Sequence, residues 1–270
     1  MLMRGLWKFA LAAVATLMAH PALASINFGN PYVFASQAEA EKGISLPLYG
    51  GSEREVSYVS VRVYRWTQTA DDAYALEPAP EVAVFPQMVR LEPQARASVR
   101  LSWSRSPTPI DERYYRLVLE EFDRPAEGNA GKDTAVLGFR VRPRASLPMV
   151  IYSRNDLAPA QFTAKTTTVM IEASRTSAEE ANAKADGEKK MVEQRVVRVS
   201  NSGATYGRVT GFRDAKGTVY NAMVYVLPGS TVDVDLPPVA DTTGLELLYT
   251  SGRAEHTRKE KDPVRSTPVQ

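Results

Sequence analysis

The chain of 270 residues contains no cysteine. Disulfides, thiolate metal sites and Cys-His nucleophiles are therefore excluded. Histidine is almost missing too, with only His20 near the N-terminus and His256 in a polar C-terminal stretch. A Ser-His-Asp triad or a histidine-rich metal site has no residues to work with, so no catalytic residue, metal or other cofactor is expected. Carboxylate-only chemistry survives on paper, but no Asp/Glu pair stands in the apolar context that would raise a pKa. Charge of one sign is lacking as well. Lys and Arg number 33 against 31 Asp and Glu, a balance that argues against nucleic acid as the main partner. Helical periodicity is nearly absent, and beyond the N-terminus no apolar run is long enough to span a bilayer.

What is present begins with a leader. Arg4 and Lys8 form a positive n-region, Phe9 to Met18 is a short apolar h-region, and Ala22-Leu23-Ala24 is a small-residue cleavage site. Residues 1–24 are expected to be a signal peptide cut before Ser25. The 246 residues left of the 270 carry equal numbers of basic and acidic side chains and suffice for two domains of about 120 residues.

Short alternating segments punctuated by Gly, Pro, Asn and Asp recur along this chain, the pattern of β-sandwiches. Pro31 to Ser36, then Ile44 to Leu48, read as the first strands. Val56 to Trp66 sets Val59, Val61 and Val63 on one face and Tyr58, Tyr64 and Trp66 on the other. Strands follow around Val82 to Met88, Ala97 to Trp103 and Tyr115 to Leu119, and then a polar loop, Asp123 to Thr134. In the second half Val169 and Ile171 open the strands. The Ala-, Glu- and Lys-rich run Arg175 to Gln194 reads as a hairpin loop rather than a short helix. Asn201-Ser202-Gly203 and Pro228-Gly229-Ser230 read as turns. The expected organisation is all-β, with domains at 25–152 and 153–252 joined near Ser153 to Pro159, and a disordered tail over 253–270.

The stretch Ala135 to Tyr152, AVLGFRVRPRASLPMVIY, is long for one strand. Leu137, Phe139 and Val141 alternate with Gly138, Arg140 and Arg142. After Pro143 the alternation resumes with Leu147, Met149 and Ile151. Two ordinary strands kinked at Pro143 is one reading. A single edge strand offering an apolar face to another protein is the other.

Four ordered stretches resemble the periplasmic pilus-assembly chaperones, the PapD-like family, and most closely those of archaic fimbrial systems. They are Pro80 to Leu101 with LEPQARASVRL, YYRLVLEEF from Tyr114, RASLPMVIY from Arg144, and VRVSNSGATYGRV followed by YVLPGS from Tyr225. The resemblance implies two immunoglobulin-like β-sandwiches in a boomerang. It implies a pilus or fimbrial subunit held along the long strand through Leu137, Phe139 and Val141, with Ala135 at its start. It further implies an outer-membrane usher as partner, and a periplasmic location. Members of the family hold the C-terminal carboxylate of the pilin with a basic residue on the first strand and another on the long strand. PYVFAS has no basic residue, so the anchor must come from elsewhere. Arg144 is the first candidate, followed by Arg142 and Arg116; Arg140 and Arg100 lie nearby. A free chaperone with an open apolar strand would also be prone to a self-capping dimer. Two other classes compete. One is a pilus subunit or adhesin, disfavoured because Ser25 to Asn30 is too short and polar to be a donor segment. The other is a secreted β-scaffold enzyme, disfavoured by the missing histidines.

Overall fold

The computed structural model describes residues 26–29, 32–51, 56–69, 72–104, 111–122, 144–154, 156–172, 191–236, 242–252 and 264–270. In chain order the first half forms β1 (Ile26–Phe28), β2 (Val33–Ser36), α1 (Gln37–Lys42), β3 (Ile44–Gly50), β4 (Ser57–Thr67), β5 (Ala75–Pro78), β6 (Val82–Phe85), β7 (Met88–Leu91), β8 (Arg96–Trp103), β9 (Glu112–Phe122) and β10 (Arg144–Tyr152). Two sheets result, one in the order β1-β3-β8-β6, the other in the order β2-β10-β9-β4-β5 with β7 also paired to β4. Alternation decides which side of each strand meets the facing sheet. Val59, Val61 and Val63 of β4 join Val99, Leu101 and Trp103 of β8 in one core. Tyr115, Leu117 and Leu119 of β9 and Leu147, Met149 and Ile151 of β10 complete it.

The sequence pattern did not anticipate α1. Its signal is local: Ser36 accepts from the Glu39 N–H at 3.3 Å, and the Glu39 carboxylate accepts from the Ser36 N–H at 2.8 Å, a reciprocal capping box. Ala40 is the one residue that this short helix buries fully. Among the described residues no helix is long and apolar enough to cross a membrane.

The second half forms β11 (Phe162–Glu172), β12 (Met191–Asn201), β13 (Gly207–Arg213), β14 (Val219–Val226), β15 (Thr231–Asp235), β16 (Glu246–Ser251) and β17 (Arg265–Pro268). They make a sheet β11-β12-β15 facing a sheet β14-β13-β16-β17. Phe162, Val197, Val199, Val209, Phe212, Val232 and Leu247 fill the space between. The turn at Asn201-Ser202-Gly203 is organised by the buried Asn201 side chain. Its Oδ1 accepts from the Gly203 and Gln161 N–H groups at 3.0 and 3.2 Å, and its Nδ2 donates to the Thr205 and Val226 carbonyls at 2.9 and 3.1 Å. Gly203 is required there, because a Cβ would stand 2.3 Å from the Pro159 carbonyl oxygen.

Three expectations change. The second half opens with Phe162, seven positions before Val169. Met191 to Gln194, read as part of a loop, begin β12, while residues 173–190 lie outside the described residues. The end of the chain, expected to be disordered, is instead β17, paired antiparallel to β16 from Arg265↔Tyr249 to Pro268↔Glu246. Beyond it Val269 donates to the Leu245 carbonyl at 2.9 Å, Gln270 N–H donates to Ala164 O at 3.0 Å, and Gln270 O accepts from Thr166 N–H at 2.8 Å. Composition misled because this segment is held mainly by backbone bonds to two sheet edges, with Val269 as its contact with the core. Residues 253–263 lie outside the described residues. Deleting Val264 to Gln270 is expected to cost about 1–3 kcal/mol and to lower the thermal midpoint by about 2–4 °C for each kcal/mol. An unchanged melting curve for the truncated protein would show that the segment adds nothing to the fold.

Candidate functional site

β10 is held in two different ways along its length. On one side it pairs antiparallel with β9 throughout, from Arg144↔Glu120 to Tyr152↔Glu112. On the other side β2 pairs with it in parallel, but only from Met149↔Val33 to Tyr152↔Ser36. Among the described residues, the strand is therefore interior from Met149 onward and has an open edge from Arg144 to Pro148. Pro148, which has no N–H to offer, sits at the last position of the open part, where a missing donor costs nothing. Within the RASLPMVIY half the edge is thus five residues long among the described residues. Leu147, Met149 and Ile151 are buried, at 6%, 0% and 4% exposure, so their apolar face serves the core and not a partner. Leu137, Phe139, Val141 and Arg142, with Ala135, Arg140 and Pro143, lie outside the described residues.

The candidate anchors separate sharply. Arg144 is exposed and stands opposite Glu120 on β9. Arg100 is exposed on the outer face of β8, where it donates to the Lys42 carbonyl. Arg116 differs from both. It is 4% exposed, with its guanidinium over the Trp66 ring at 3.7 Å and near the rings of Tyr74 and Tyr225 at 4.8 and 5.8 Å. Burial holds its pKa below the ordinary arginine value, opposed by Tyr74 and Tyr225; an arginine remains charged even so. Among the candidate anchors Arg116 is thus the one that aromatic rings enclose.

Those rings form the seam between the two sandwiches. Trp66, Val150, Tyr206 and Leu227 make a buried cluster of their own, with Phe34, Leu76, Tyr114 and Tyr225 packed against it. Tyr225 meets Trp66 edge-on at 6.0 Å, and Tyr206 meets Tyr114 edge-on at 6.2 Å. The Tyr206 hydroxyl donates to the Gly252 carbonyl at 2.9 Å, while burial, with the Glu112 carboxylate that the Tyr114 hydroxyl donates to, pushes the Tyr114 pKa far up. A narrow crevice lined by Tyr32, Val33, Trp66, Pro148, Val150, Tyr206 and Tyr225 opens at this seam. Sequence reasoning did not identify these residues as a site. The available signal was the aromatic face of β4, Tyr58, Tyr64 and Trp66, which was too apolar for a solvated surface.

No protein-family model matches the sequence, and no curated protein matches it. Solved structures do match. A chain of the CsuC–CsuE chaperone–tip adhesion subunit pre-assembly complex, from the archaic chaperone-usher Csu pili of Acinetobacter baumannii, aligns at 16% identity with a TM-score of 0.59, over 92% of this chain and 100% of that one. The DraB chaperone of E. coli aligns at 13% identity and a TM-score of 0.52, over 90% of this chain and 96% of its own. The CupB2 chaperone of Pseudomonas aeruginosa aligns at 14% identity and a TM-score of 0.51, over 90% and 100%. Two immunoglobulin-like β-sandwiches, packed through an aromatic seam and matched in this way over nine-tenths of the chain, have the fold of the PapD-like pilus chaperones, archaic-type members among them.

Proposed function

We propose that this protein is a non-enzymatic periplasmic chaperone that binds pilus or fimbrial subunits by donating an edge β-strand, and hands them to an outer-membrane usher. The observation that carries the reading is the open edge of β10 between Arg144 and Pro148, which continues in sequence from AVLGFRV. In a strand, residues two apart share a face. Leu137, Phe139 and Val141 have the same parity as Leu147, Met149 and Ile151, which line the core. An uninterrupted strand would therefore extend the apolar row of the core past the end of the sandwich, toward a partner that lacks a strand. A pilin missing one strand has an apolar groove and unpaired backbone groups, and a donated strand satisfies both. Three large side chains contribute about 5–9 kcal/mol gross, before the costs of association. A dimer capping the same strand would protect the free protein from edge-to-edge association.

For the C-terminal carboxylate of the bound pilin, Arg144 is the anchor we favour. It is exposed, and it lies on the open part of β10. Arg142 is the second choice. Arg116 is left out because reaching it would require opening the aromatic seam.

N-terminal sequencing of the protein from a periplasmic fraction should begin at Ser25, and Met1 on cytoplasmic protein would contradict the location. Phe139→Asp should fold with an unchanged melting temperature yet no longer copurify a coexpressed pilin, because an unpaired carboxylate in an apolar groove is costly; retained copurification would remove Phe139 from the donor face. Arg144→Ala should weaken pilin binding by about 1.5–3 kcal/mol, roughly ten- to hundredfold, without altering the melting curve. Unchanged binding in titration calorimetry would move the anchor to Arg142. Spontaneous polymerisation of the purified chain into fibres would favour a structural component of the pilus instead.

A further inference from the structure

The seam between the sandwiches contains two groups whose arrangement is not explained by apolar packing. Gln68 lies just past the end of β4 and uses both ends of its amide on the backbone of the second sandwich. Its Nε2 donates to the Tyr225 carbonyl at 2.8 Å, and its Oε1 accepts from the Leu227 N–H at 2.7 Å. The side chain thereby acts as one more rung of β-pairing on the outer edge of β14, whose other edge is taken by β13. Arg116 is the second group. Its Nη1 donates to the Ser146 carbonyl at 3.4 Å, and among the described residues its buried Nε and Nη2 have no partner within hydrogen-bond geometry.

A buried guanidinium without a carboxylate is costly. Here the compensation comes from aromatic faces. Trp66 and Tyr74 belong to the first sandwich, whereas Tyr225 belongs to the second. Tyr225 is also the residue whose carbonyl Gln68 holds. Moving the sandwiches apart would therefore withdraw one ring from Arg116, break the edge-on contact of Tyr225 with Trp66, and break the Gln68 hydrogen bonds to the Tyr225 carbonyl and the Leu227 N–H. These losses fall together, because the groups share two adjacent stretches of backbone.

We propose that Gln68, Arg116 and Tyr225 form a latch that fixes the angle between the two sandwiches in the free protein, so that the crevice over Pro148 and Val150 is set before any partner arrives. None of the contacts within the latch is an ion pair, so salt has little in it to screen. It is independent of the pilin-binding reading, since it concerns the free chain alone.

The lack of cysteine allows a direct measurement. Arg62 on β4 and Asn221 on β14 are both exposed; Arg62→Cys and Asn221→Cys together accept one spin label on each sandwich of the mature chain, and pulsed electron resonance reads the distance between them. One narrow distance is expected, unchanged between about 0.05 and about 1 M salt, a range over which exposed ion pairs lose most of their strength. Gln68→Ala and, separately, Tyr225→Ala should each broaden the distribution while circular dichroism remains that of the folded β-protein. Gln68→Glu, which sets a carboxylate oxygen against the Tyr225 carbonyl, should broaden it with the smallest change in packing, and serves if either alanine variant fails to fold. A distribution that stays narrow in the folded variants would overturn the latch. So would a broad one in the protein bearing only the labels, or one that widens with salt.

Discussion

A β-sheet normally commits one face to a core and leaves the other to water. In the sheet β2-β10-β9-β4-β5 both faces are buried over the same few residues. Tyr115, Leu117, Met149 and Ile151 point into the first core, while Trp66, Tyr114 and Val150, one residue out of phase, point into the seam with the second sandwich. A shift of one residue in register would exchange the two sets, so packing on both sides holds β9 and β10 against each other. That constraint has a consequence for β10. Its C-terminal half is fixed by β9, β2, the core and the seam, whereas among the described residues its first five residues have a neighbour on one side only.

The arginines show how location sorts side chains of one type into different roles. Arg116 and Arg144 occupy the same face of neighbouring strands. Arg116 stands opposite Pro148 beneath the aromatic rings, and Arg144 lies four residues further out, opposite Glu120. The first is desolvated and held by π-faces, so it contributes to the contact between the sandwiches. The second is exposed to solvent. Surface ion pairs elsewhere, such as Arg154 with Asp156 at 2.9 Å and Arg213 with Glu246 at 3.2 Å, are exposed and add little to stability.

Much of the architecture was legible because the side-chain period of a strand is visible in sequence. Val59, Val61 and Val63, or Leu147, Met149 and Ile151, reveal a strand and its buried face without any knowledge of neighbours, and the turn residues around Asn201 and Pro228 mark where strands end. The capping box at Ser36 and Glu39 is equally local, but six residues of helix between two β-patterns leave no helical period to read. The C-terminal strand was not legible: RSTP carries no apolar period, and what orders it is a pair of sheet edges contributed by residues close to it only in space.

For the functional site the division follows the same physical line. Sequence by itself determined the all-β class, the two-sandwich organisation, the absence of cysteine, and the alternation that makes Ala135 to Tyr152 unusual. These depend on composition and on contacts between residues near one another in the chain. Only the tertiary structure decided that β10 is paired on both sides from Met149, that Arg116 is enclosed by aromatic rings, and that Trp66, Gln68, Tyr206 and Tyr225 join the two halves. Each of those depends on which strand lies beside which, and pairing across more than a hundred residues of chain leaves no trace in any one segment.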